Sequence, residues 1–296
     1  LAHATWLASD ERGGRLTGSP GQEEAARYIA AHFEKLGLEP LGDVVDGKPT
    51  FFQRYGLERT HVLGSTVLRL GGLELRDGFA VLGGRPREIE LTGTLRFCGL
   101  GRTRGNRADL PEDESLAGKI AVVAVQGPRG RVPTENLTVE QKFGLSFGTF
   151  GKLGNTSKAL AKRGAAAVVF VQHADPIGLS DVLNYLALSP GKDSLAARFE
   201  GAEPGMGGLG NMLGDDVPAF VLSVPASQQL FEQLGLDPTA VAAFVQGDGE
   251  MPAAEGEVAA SITLGVAHDA EATACNVVAV LRGSDPELAD EAIVYS

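Results

Sequence analysis

The chain has 296 residues, 43% of them hydrophobic and 22% charged, a balance that sustains one substantial core or two modest ones and excludes a disordered or fibrous protein. Its 26 Lys and Arg against 38 Asp and Glu leave a net charge of -12, which repels a phosphate backbone and an anionic bilayer, so nucleic acid is excluded as a partner. The 40 glycines and 15 prolines fall mostly at the ends of apolar runs, as many short elements joined by turns require, and the expectation is a mixed α/β protein.

Taken in chain order, Ser19-Pro20-Gly21-Gln22 is a helix start, with Ser19 as cap, Pro20 at the first helical position and Gln22 placed to reach back in a capping box. The helix is expected to run to about Leu36. Ala25, Ile29, Phe33 and Leu36 form its apolar stripe, Glu23 and Arg27 pair on the solvent side, and Gly37 stops it. From Phe51 to about Leu95 short β-prone pieces alternate with Gly-Gly turns at 71–72 and 83–84. A second unit is expected to begin near Pro86, with strands at Thr94–Phe97, Ile120–Val125, Ala165–Val171 and Pro218–Val224 and a short helix at Ser157–Arg163. These apolar runs suit a sheet covered on both faces or closed on itself. The stretch from His173 to Asp216 lacks periodicity and reads as loop with one or two helical turns.

Pro225–Leu234 and Pro238–Gln246 read as helices, the second capped by Asp237, and they are followed by Gly235 and Gly247. Three strand candidates close the chain: Glu257–Leu264, Asn276–Leu281 and Ala292–Tyr295. The runs at Val277–Leu281 and Ile293–Tyr295 are β-branched and apolar, and are expected as buried neighbours in one sheet. No stretch approaches the roughly 20 apolar residues that cross a bilayer. The sequence also opens without the charged leader and apolar run of a signal peptide.

Several short motifs lack the partners their chemistry needs. Gly99-Leu100-Gly101 resembles the start of a dinucleotide fingerprint, but Arg104 stands where its third glycine belongs, so a strand-end turn is the better reading. Gly148, Gly151 and Gly154 precede the expected short helix without the Gly-Lys-Ser/Thr of a phosphate loop. His173-Ala174-Asp175 places two zinc-type side chains at a strand end, yet no third ligand accompanies them; His3, His32 and His61 share no motif, and His268 is expected in a polar loop. Ser65 is not in a nucleophile elbow. Cys98 lacks an arranged histidine, and Cys98 and Cys275 read as two separate small buried hydrophobes. Asn136-Leu137-Thr138 and Asn155-Thr156-Ser157 match the glycosylation pattern, which carries no weight without a secretory context.

The order of pieces nevertheless resembles a known family. Ser9 to Gly21, Ala25-Ala26-Arg27-Tyr28-Ile29, Leu36-Gly37-Leu38 and Phe51-Phe52-Gln53 look like the opening of the family 28 metallopeptidases, the co-catalytic zinc aminopeptidases. Thr94–Gly101, Leu116–Ile120 and Lys162–Val169 resemble the protease-associated domain that interrupts the catalytic domain in many members. Thr273–Ser284 and Glu291–Ser296 then resemble the return to the catalytic domain.

The resemblance implies residues 1–84 as the first part of the peptidase domain, 85–225 as an inserted protease-associated domain of β-rich α/β type, and 226–296 as the truncated return to a mixed-sheet zinc-peptidase domain. It implies a parent that hydrolyses N-terminal peptide bonds of peptides or proteins with water held between two zinc ions, located outside the cytoplasm as a secreted, periplasmic or cell-envelope enzyme. The zinc ligands, the glutamate base and the missing C-terminal catalytic segment are expected after Ser296. No catalytic, cofactor-binding or metal residue is therefore assigned within the chain, no zinc is expected in it, and the fragment itself is expected to be inactive. The alternatives are a non-catalytic protease-associated binding module and, more weakly, a hydrolase built on His173 and Asp175. On the insertion reading, 85–225 is the part that resists protease while both flanks are cut early.

Overall fold

A computed structural model describes residues 1–85, 87–103, 105, 108–126, 137–175, 177–192, 194–197, 217–285, 287–288 and 291–294. The chain forms two compact units: Leu1–Glu58 with Ala197–Glu200 and Ala270–Ser296, and Arg59–Ala196 with Gly201–Asp269. The elements in chain order are α1 (Ala2–Leu7), α2 (Pro20–Lys35), β1 (Glu39–Pro40), β2 (Val44–Val45), β3 (Lys48–Pro49), β4 (Phe52–Val62), β5 (Val67–Leu70), β6 (Leu73–Leu75), β7 (Phe79–Leu82), β8 (Arg87–Phe97) and β9 (Lys119–Ala124). They continue with α3 (Val139–Ala161), β10 (Ala167–Val171), α4 (Leu179–Leu186), β11 (Ser194–Ala197), β12 (Ala219–Leu222), α5 (Val224–Gln233), α6 (Pro238–Gln246), β13 (Ala259–Val277) and β14 (Ala279–Val280).

In the larger unit β8, β9, β10 and β12 are parallel in that order, and β7 and β13 pair antiparallel on the two sides, with β5 and β6 continuing beside β13. Alternation along the strands divides the core. Ile120, Val122, Val169, Val171, Phe220 and Leu222 face α5 and α6 with Leu230, Phe231 and Val241. Ala121, Val123, Val168, Phe170, Ala219 and Val221 join Phe150, Leu153, Leu160 and Leu183 of α3 and α4. A sheet covered on both faces is why these strands are continuous apolar runs, as their sequence indicates. At the ends of this unit Thr60 Oγ1 and the Nδ1 of His268 lie 2.7 Å apart, so its first and last residues are neighbours.

The smaller unit has α2 as its main helix. The Ser19 hydroxyl accepts the Gln22 amide at 3.3 Å, and Glu23 pairs with Arg27 at 3.4 Å. The expected capping box is not completed, because the Gln22 side chain donates instead to the Cys275 carbonyl at 2.9 Å. The buried face is Ala25, Ala26 and Ala30, while Leu36 is exposed. Closer approach by alanine displaces the stripe predicted from the larger side chains. Trp6 of α1 stacks on Tyr28 at 4.0 Å, with the Arg12 guanidinium 4.0 Å over the indole.

Other expectations are corrected. The short helix at Ser157–Arg163 is the end of the 23-residue α3, started by a complete capping box between Thr138 and Gln141. The strand expected at Glu257–Leu264 and the polar loop expected at His268 belong largely to one long strand, β13, and the strand expected at Asn276–Leu281 is divided between the end of β13 and β14. Ile293 and Val294 are 82% and 85% exposed and lie in no strand, so the buried pair with Val277–Leu281 does not form; β14 pairs with β1 instead. A β-branched run becomes a strand only where a ladder partner receives it. Tyr295, Ser296 and Asn136 lie outside the described residues, as does the interval 198–216 of the expected loop; α4 supplies its helical turns. Among the described residues no helix is long and apolar enough to cross a membrane.

The segment 85–225 falls almost wholly within the larger unit, which also includes β5, β6, β7, α5, α6 and the first half of β13.

Candidate functional site

The parallel strands of the larger unit end on one edge, where β8 delivers Cys98 and Gly99, β9 Val125 and Gln126, β10 Gln172 and His173, and β12 Ser223. That edge is the usual place for ligands in α/β sheets. Among the described residues, cavities of 260, 240 and 760 Å³ lie along it, the last bordered by Arg102, Asp109 and Gln126. The first is lined by Asp77, Gln172, Ser180, Asn184, Ser189 and Ser223 around Phe79, Leu183 and Val221. Gln172 is buried and fixed twice: its amide donates to Ser227 Oγ and its side chain to the Leu222 carbonyl, each at 2.9 Å. Ser223 is committed as the cap of α5, accepting the Ala226 amide at 3.3 Å. With hydroxyls, amides and one carboxylate, and neither His nor Cys among its described lining, this cavity is equipped to bind polar groups rather than to activate a nucleophile.

The second cavity is lined by Arg102, Gln126, Lys152, Asn155 and Thr156. Beside it Gly99 and Gly101 take positive φ, which turns the amides of Leu100 and Arg102 inward as a phosphate loop would. They do not receive a phosphate. The Asp109 carboxylate, its side chain 2% exposed, accepts both amides, at 3.0 and 2.9 Å, and also the Arg102 guanidinium. An internal anion thus occupies the nest, which explains in atoms why the Gly99-Leu100-Gly101 fragment is not a dinucleotide site. Sequence reasoning missed Asp109; the only signal was a carboxylate shortly after a Gly-x-Gly turn.

His173 and Asp175 do not converge on a shared ligand position. Asp175 accepts the amides of Leu179 at 2.6 Å and Ser180 at 2.9 Å, fixing the start of α4, and burial pushes the His173 imidazole below its ordinary value. Neutral His173 would suit a metal, but its neighbouring carboxylate is consumed by helix amides. Cys98 is buried and its thiol is pushed up to about 12 by desolvation, so it is not poised as a nucleophile. Both cysteines are free. Among the described residues no group of three or more His, Cys, Asp or Glu side chains converges as a metal site.

In the smaller unit, residues far apart in sequence meet. Gln22 reaches Cys275, the Asn276 side-chain amide donates to Gln53 Oε1 at 3.1 Å, and the Val278 amide donates to the Phe51 carbonyl at 2.8 Å. These are the segments that resemble the opening and the return of a peptidase domain.

No protein-family profile matches the sequence. No curated protein matches it either. Among solved structures, the aminopeptidase from Aneurinibacillus sp. strain AM-1 is 19% identical with a TM-score of 0.44, over 92% of this chain and 46% of that one. A zinc aminopeptidase from Bacillus subtilis, BSAP, is 17% identical with a TM-score of 0.43, over 96% of this chain and 47% of that one. A psychrophilic subtilisin-like protease, Apa1, from the Antarctic Pseudoalteromonas sp. AS-11 is 14% identical with a TM-score of 0.32, over 72% and 34%. The chain therefore spans about half the length of the two aminopeptidases. Similarity at this level assigns no chemistry.

Proposed function

We propose that the chain is the N-terminal part of a secreted or cell-envelope zinc aminopeptidase acting on peptide or protein substrates, with a protease-associated domain at about 85–225 inserted into its peptidase domain. The observation that supports this reading is the assembly of one compact unit from the two ends of the sequence, through Gln22 with Cys275 and Gln53 with Asn276. A contiguous module has no need of such contacts, whereas a domain interrupted by another requires them.

The described residues do not fit the catalytic zinc pair of such a parent: Asp175 is held by backbone amides, and no three ligands converge. No catalytic step is assigned to this chain. The zinc ligands and base of the parent are proposed to follow Ser296.

Reading the source gene past Ser296 tests the proposal. An open frame continuing into Ala-His-x-Asp, and zinc-dependent release of a chromophore from an aminoacyl anilide by the extended protein but not by the present chain, is the expected result. A frame without those ligands, or hydrolysis by the present chain alone, overturns it.

A second reading, a non-catalytic binding module, is favoured by the 260 Å³ cavity, whose described lining is polar and holds neither His nor Cys. Retention of a peptide by the isolated chain, with no peptidase activity in any extended form, would select it.

A further inference from the structure

We propose that His3 and His32 form a two-imidazole site for a divalent transition ion of the zinc or cobalt type. His3 lies on α1 and His32 on α2, 29 positions later in sequence, yet their ring centroids are 4.4 Å apart with planes inclined at 57°. Two bonds of about 2.0–2.1 Å to a tetrahedral ion require nitrogens about 3.3 Å apart. The adjustment falls to His32, by rotation about its side-chain bonds, while His3 keeps its contact with Tyr28.

The surroundings prepare one of the two ligands. Nδ1 of His3 lies 2.7 Å from the Tyr28 hydroxyl oxygen. With Nδ1–H donating to that oxygen, the lone pair is on Nε2, the arrangement by which a metal-binding imidazole is oriented and made more basic. Tyr28 is itself held by the Trp6 stack, and Trp6 by Arg12, whose guanidinium pairs with Glu24 at 3.0 Å. The His32 ring has no hydrogen-bond partner among the described residues, so both its nitrogens are available. The net charge of -12 favours a cation over the whole surface. Two protein ligands leave the remaining positions to water, so the ion is labile and is lost on dialysis. The site is independent of the aminopeptidase reading, and its readout is metal affinity.

The test is a titration of the metal-stripped full chain with Co(II), followed by visible absorption and by displacement with Zn(II), with far-UV circular dichroism on every variant. An N-terminal extension is included, because a free amine at Leu1 followed by Ala2-His3 offers a chelate of its own. One Co(II) per chain, displaced by Zn(II) and retained with the extension, is expected. His3→Ala and His32→Ala should each weaken binding tenfold or more, and Tyr28→Phe, which keeps the ring stack but removes the acceptor oxygen, about tenfold. Absence of saturable binding, an affinity unchanged in His32→Ala with the fold intact, or loss of binding on extending the terminus would overturn the proposal.

Discussion

The Asp109 carboxylate gathers two backbone amides and the Arg102 guanidinium while almost wholly buried. Its replacement by alanine strands a cation and two amides together, and such one-sided removal of a buried charge costs about 3–5 kcal/mol. We expect Asp109→Ala to lower the urea midpoint of the larger unit accordingly; a loss below about 1 kcal/mol would show that water takes over the carboxylate's bonds. Glu23 gives the smaller unit an acid dependence. The Arg54 hydrogen bonds, at 3.1 and 3.4 Å, are the main cause holding its carboxyl below the ordinary glutamate range. A carboxyl depressed on folding adds stability that is complete above its unfolded value and is lost as pH falls through its folded one. Glu23→Gln should therefore flatten the acid limb of unfolding, followed by the fluorescence of Trp6, the single tryptophan. An unchanged acid limb would reject this role. Local pairs such as Ser19 with the Gln22 amide or Glu23 with Arg27 were legible in sequence because their partners lie within one helical turn. Gln22 with Cys275 was not, since nothing local selects a partner 253 residues away.

At the scale of elements, α3 shows how composition misleads. Gly144, Gly148 and Gly151 suggest loop, yet they lie on an exposed face of a capped helix, and a Cβ built at each meets no atom within 4 Å. Each costs roughly 0.5–1 kcal/mol relative to alanine through backbone entropy. The triple replacement Gly144→Ala, Gly148→Ala, Gly151→Ala should thus raise the melting temperature of the larger unit, read by calorimetry; a fall would mean that these glycines serve a close contact. The central strands β9, β10 and β12 were legible because burial on both faces leaves only apolar residues. Strand β13 is not legible as one element because its sequence turns polar around His268 and Asp269; over Ala259–Val266 its register is set by β8. The cavity linings are illegible in sequence: Asp77, Gln172 and Ser223 are spread over 146 positions and meet only when the strands align.

On the scale of the whole molecule the two units differ in core. The smaller buries Ala25, Ala26, Ala30, Leu57, Ala274 and Cys275 among its described hydrophobic residues, whereas the larger packs both faces of a sheet. Limited proteolysis should remove the segments before about Arg59 and after about Asp269 first, leaving a resistant larger unit; equal survival of the flanks would refute the difference. Strand β5, which carries β6 beside it, finds its partner β13 almost two hundred residues later, a pairing that composition does not announce. The adjacency of Thr60 and His268 also has a consequence for how the protein is made. At about 5–20 residues per second, a ribosome takes roughly 13–50 s to follow Gln22 with its partner Cys275. Throughout that interval α2 emerges without the strand it packs on and is open to chaperones. Once the larger unit has folded, its neighbouring ends turn the long intervening sequence into a short tether, so the smaller unit closes as a hairpin would. Gly93→Ala, which sets a Cβ 2.6 Å from the Gly118 carbonyl oxygen inside the larger unit, should therefore delay the recovery of Trp6 fluorescence during refolding, although Trp6 itself lies in the other unit.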